Sequence, residues 1–85
     1  MAEPSMWRTQ AASDIVRDGL AVELVDHANQ VVAEVFRCDA DHTVSFNQFA
    51  ESLPLHAVEL LIHRAKESLD PFEDGLPLAV AVCDV

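Results

Sequence analysis

The chain contains no tyrosine, one tryptophan, two glycines, two cysteines and only five basic residues. Each shortage excludes something. The bases are Arg8, Arg17, Arg37, Arg64 and Lys66, spread thinly among fifteen acids, so the formal net charge is -10. Nucleic-acid binding depends on clustered Lys and Arg that displace phosphate counterions, and no such cluster exists here. An anionic membrane surface would repel the chain for the same reason. Gly19 and Gly75 are far apart, so there is no glycine-rich loop to cradle phosphate, and neither an HExxH nor a GxSxG motif occurs. Two cysteines make no disulfide framework, and Cys38 and Cys83 are expected to be buried free thiols. The longest apolar run, Leu76 to Cys83, contains Pro77 and is too short to span a bilayer. The opening residues carry neither a basic segment nor an apolar one of the secretory kind, so a cytoplasmic location is expected.

What remains is enough for one small domain. Of 85 residues, 51% are apolar, and Leu, Ile, Val and Phe number 26. That content lets the chain fold despite its charge, with a thin core. Residues 1–17 read as a flexible arm. Ser5 can cap a short helix, and Trp7, Ala11 and Ile15 share one narrow helical face. Residues 18–75 read as a single α+β domain, and 76–85 as an apolar tail or edge strand.

Within the domain, Leu20–Val25 and Val31–Cys38 are rich in Val, and β-branched side chains pack well on a pleated surface. Between them lie Asp26 and Asn29, which favour turns by bonding nearby backbone. After a second turn at Asp39–His42, residues 43–47 alternate polar and apolar as a half-buried strand does. Short connections make these three strands an antiparallel meander. The surest element is a helix over residues 54–69. Pro54 suits its start, Val58, Leu61, Ile62, Ala65 and Leu69 share a face, and Pro71 ends it. The predicted fold is therefore an α+β domain: a three-stranded meander with one helix across one face, a short N-terminal helix and a C-terminal fourth strand.

The helix must bury its stripe on the sheet. Leu20, Val22, Leu24, Val44 and Phe46 form the expected core face. For the second strand, Val32, Glu34, Phe36 and Cys38 are assigned to the core because Phe36 is its largest apolar side chain. Ala21, Val25, Val31, Ala33 and Val35 then fall on the opposite face, with Arg37. One helix does not cover two faces, so these five are the expected interaction surface, for a protein partner or a second copy.

The densest polar cluster is Arg37-Cys38-Asp39-Ala40-Asp41-His42. Asp39, Asp41 and His42 are candidate metal ligands, but turn chemistry accounts for both aspartates without a metal. An EF-hand reading fails, because the bending Gly and the closing Glu are missing. The four histidines, His27, His42, His56 and His63, face no Ser or Cys nucleophile in any recognisable spacing. No catalytic residue, cofactor or resident metal is expected.

The run Val32-Ala33-Glu34-Val35-Phe36-Arg37, then Leu53-Pro54-Leu55, then Asp70-Pro71-Phe72-Glu73-Asp74-Gly75, resembles short bacterial proteins of unknown function. The resemblance spans roughly residues 18–75 and implies a free-standing bacterial domain, with no activity attached. The leading functional expectation is a non-enzymatic protein-interaction or regulatory module. The alternatives are an acidic inhibitor or antitoxin-like module that occupies a basic surface, and a metal or small-ligand binder through the 37–42 turn.

Overall fold

The computed structural model describes residues 7–78. Its elements run β1 (Arg8–Asp14), β2 (Gly19–Val25), β3 (Val31–Cys38), β4 (Thr43–Gln48) and α1 (Leu55–Leu69). The strands form one sheet in the order β1-β2-β3-β4, antiparallel throughout. The expected meander is present as β2, β3 and β4, with the helix after it. The architecture is α+β.

The N-terminal helix is a correction. Arg8–Asp14 is a strand, paired with β2 over seven residue pairs from Arg8↔Val25 to Asp14↔Gly19. The same segment was expected to be a flexible arm, but from Arg8 on it is an outer strand. Its helical spacing of Trp7, Ala11 and Ile15 was real but narrow. A seven-residue segment beside an open strand gains a ladder of hydrogen bonds that a frayed helix cannot match. The predicted C-terminal strand falls largely on residues 79–85, outside the described residues, as does Cys83.

Polar side chains shape the three hairpin turns in a chain short of glycine. Asp14 accepts hydrogen bonds from the Val16 and Arg17 amides, and Asp26 from the Ala28 and Gln30 amides. Asp18, Asn29 and His42 hold the left-handed positions, with φ of 57°, 65° and 58°. Asp, Asn and His are the non-glycine residues that tolerate this region best.

The helix buries Ala57, Leu61, Ala65 and Leu69, with Leu60 and Leu53 packed at the side. This differs from the expected stripe: Ile62 is exposed and Val58 only half-buried. The buried line runs at spacing four through two alanines, which lets the helix sit close to the sheet. Beneath it lie Val22, Leu24, Ala33 and Val35, with Leu20 and Val44 alongside.

The parity of β3 is the second correction. Cross-strand pairs share a face, and the register pairs Leu24↔Ala33, Val22↔Val35 and Leu20↔Arg37. Ala33 and Val35 therefore belong to the core under the helix, and Glu34 and Phe36 to the opposite face. Size was a poor guide to parity, because a close helix rich in Ala favours small neighbours beneath it. Val32 also joins the core, since a bulge between Leu24/Val25 and Ala33/Val31 interrupts the alternation. The five residues expected on one open face are thus divided. Ala33 and Val35 are in the core, Ala21 and Val25 are buried, and Val31 is exposed.

The face away from the helix is closed by a different device. The Arg17 guanidinium sits 4.0 Å from the centre of the Phe36 ring and makes two hydrogen bonds to Glu34, at 2.8 and 3.1 Å. Asn47 donates to the same carboxylate at 2.9 Å. Gly19 is required here. A Cβ on it would strike the Arg37 carbonyl oxygen and lie 2.5 Å from the tip of the Phe36 ring. Among the described residues, no helix is long and apolar enough to cross a membrane.

Candidate functional site

In an antiparallel meander the β1–β2 and β3–β4 turns emerge at the same end of the sheet. The helix also delivers its C-terminus there, followed by the Asp70–Gly75 segment. Hydrogen bonds tie the three pieces together. The Asp39 amide donates to the Asp18 carbonyl at 2.9 Å, and the Glu73 amide donates to the Asp39 carboxylate at 2.9 Å. Two sequence motifs read separately, the 37–42 cluster and the Asp70-Pro71-Phe72-Glu73-Asp74-Gly75 run, thus meet in space.

Arg37 is the centre of this end. It projects from the helix side of β3 and donates to the carbonyls of Leu69 and Pro71, both at 3.0 Å. The Leu69 carbonyl is one of those that a helix C-terminus leaves without intrahelical partners, and a cation there also complements the helix dipole; Pro71 belongs to the segment just beyond α1. A third hydrogen bond, of 3.0 Å, runs to Asp39. Arg37 Nε is buried without a partner. The Asp70–Pro71 peptide is cis, and Phe72 after it is buried.

Each candidate metal ligand has a defined place. Asp39 is shared between Arg37 and the Glu73 amide. Asp41 accepts from the Thr43 hydroxyl at 2.7 Å and from the Thr43 amide at 3.2 Å. These bonds, the hydroxyl first, hold its carboxyl below the usual aspartate range. His42 meets Asp74 through Nε2 at 2.6 Å, and its ring stands edge-on to Phe72, 5.0 Å between centroids. The Asp74 carboxyl is also held low, first by the Leu76 amide and then by His42. Cys38 points its thiol at the Arg17 carbonyl, 3.5 Å away. Among the described residues, no group of three or more His, Cys, Asp or Glu side chains is arranged to hold a metal ion.

The surroundings of Arg37 were not legible in the sequence. Asp14, Asp18, Asp39, Asp41, Asp70, Glu73 and Asp74 all lie at this end, seven of the thirteen acids among the described residues. The bases present are Arg37, half-enclosed and bonded to backbone, and Arg17, turned back toward Glu34 and Asp14. Asp14 is held below its usual range, by the Arg17 amide first and its guanidinium second. Asp18, Asp41, Asp70, Glu73 and Asp74 are exposed. A shallow depression of about 250 Å³ opens between Asp14, Asp18, Arg37, Asp39 and Glu73. At its rim, Ile15 and Val16 are each 92% exposed on the β1–β2 turn. Two β-branched side chains in a turn gain nothing for the fold, and that mismatch was the signal available in the sequence.

No protein-family model matches the chain, and comparisons with curated proteins and with solved structures find no match.

Proposed function

We propose that this protein is a non-enzymatic protein-binding module whose acidic end docks on a basic surface of another protein. The observation that carries this reading is the concentration of seven acids around the two turns and the Asp70–Gly75 segment. A charge of -10 spread evenly would serve only to keep molecules apart; seven acids gathered at one end steer that end toward a basic partner and raise the encounter rate. Ile15 and Val16 supply the apolar anchor that charge alone lacks, because charged rims govern approach and buried apolar side chains govern residence. The ionisable groups at this end support a binding role over a catalytic one. Arg37, Asp39 and His42 are each occupied in fastening backbone or neighbouring side chains.

A photo-reactive side chain at position 16 tests this directly. It is expected to cross-link a protein with a basic surface in the native cell. Binding of that purified partner should weaken with rising salt and with Asp18→Asn, Asp41→Asn and Glu73→Gln combined. Binding that ignores both salt and these replacements would refute the reading.

A further inference from the structure

Strand β4 lies at one edge of the sheet and, among the described residues, pairs only with β3. Natural edge strands usually carry protection against strand addition: a charge, a proline or a bulge. Thr43–Gln48 has none of these. It holds no charged residue and no proline, and its register with β3 runs unbroken from Cys38↔Thr43 to Ala33↔Gln48. The uncharged stretch continues through Phe49 and Ala50. Phe46 faces the helix side, but the helix lies mainly across β2 and β3, and the ring stays 42% exposed; Phe49 is 60% exposed. The other edge, β1, differs, with Arg8 at one end and Asp14 at the other.

We infer that the β4 edge takes a second copy of this chain by antiparallel strand addition. Local neutrality permits this occupant, and the pairing of Phe46 with Val44 across a twofold axis favours it. On a chain of -10, copies repel wherever acids face each other, and Thr43–Ala50 is a neutral approach. A strand paired antiparallel with its own copy in one sheet requires a twofold axis perpendicular to that sheet. Both helices then lie on the same side, and the two acidic ends point in opposite directions. Only two registers centre the axis on the strand. Centred on Phe46, the axis sets Asp41 opposite Glu51 of the copy. Centred on Ser45, it sets Asp41 opposite Phe49, leaves Glu51 level with Asp39, whose carboxylate Arg37 already holds, and sets each Phe46 opposite Val44 of the other chain, on the helix side. The Ser45 register is therefore the one proposed, giving an eight-stranded sheet with an acidic end at each extremity. It stands apart from the identity of any basic partner.

Sedimentation velocity across a concentration series tests the pairing. The expected mass rises with concentration from 9.3 kDa toward twice that value. Ser45 is exposed and points away from the helix, so its replacement spares the core. Ser45→Glu and Ser45→Lys, each facing its own like charge across the axis, should each weaken the dimer by about tenfold, and an equimolar mixture of the two should restore it. Amide exchange at residues 43–48 should slow as concentration rises. A constant monomer mass overturns the proposal, whether those amides exchange freely or are protected equally at every concentration. So does a dimer that both variants leave intact.

Discussion

The two faces of the sheet are closed by different physics. On one, Ala57, Leu61, Ala65 and Leu69 of the helix cover Val22, Leu24, Ala33 and Val35, and apolar area removed from water is the driving force. On the other, one arginine from a hairpin turn spans Phe36 and Glu34, with Gly19 leaving room for the ring. The first closure is spread over many contacts. The second depends on a single side chain that is itself partly in water. Among the described residues the face away from α1 is thus closed as well, and the proposed docking surfaces are the hairpin tip and the β4 edge.

Three changes probe that contrast. Leu61→Ala attacks the helix-covered face, where Leu61 is fully buried. It should cost about 2–5 kcal/mol of unfolding free energy, seen as a lowered urea midpoint. Gly19→Ala attacks the other face by overfilling it. With the Arg37 carbonyl oxygen in the way, the backbone must shift, at a cost of about 1–3 kcal/mol. If the two changes prove equal, the second face is as deeply packed as the first.

Arg17→Met is the most informative. It keeps a long apolar stem over Phe36 and removes the charge from Glu34. In the native protein the Glu34 carboxyl is held below its ordinary range, chiefly by the Arg17 hydrogen bonds against the opposing effect of burial, with Asn47 assisting. A lowered folded pKa stabilises fully above the unfolded value, and that contribution is lost as pH falls through the folded one. Stability should therefore fall on acidification below about pH 4.5, and the fall should be shallower in Arg17→Met. Urea unfolding at several acidic pH values, with the Glu34 carboxyl carbon followed by NMR, measures both. An unchanged acid dependence would show that Arg17 does not govern Glu34.

How much could be read beforehand depended on range. Leu20–Val25, Val31–Cys38 and residues 43–47 were legible as strands because β-branched content and period-two alternation are local. The turns at Asp26–Asn29 and Asp39–His42 were legible because Asp and Asn bond their own backbone. The helix was legible from its span, but its buried line fell on Ala57 rather than on Ile62. Neighbouring helical positions differ by only 100°, and the close approach of two alanines decides between them. The Arg37–Asp39–Asp70 region could not be foreseen, since its two halves are some thirty residues apart in the chain.

By itself, then, the sequence determined an acidic α+β chain with a β2–β3–β4 meander, a helix ended near Asp70-Pro71, and polar residues at the turns. These follow from side-chain entropy, periodicity and local hydrogen bonding, which act within a few residues. Tertiary structure alone decided that Arg8–Asp14 joins the sheet and that Ala33 rather than Phe36 lies under the helix. It alone decided that Arg17 seals the far face and that seven acids gather at one end. Each of those outcomes depends on which strand finds which neighbour, and register is set by packing across the sheet, over distances that no local pattern encodes.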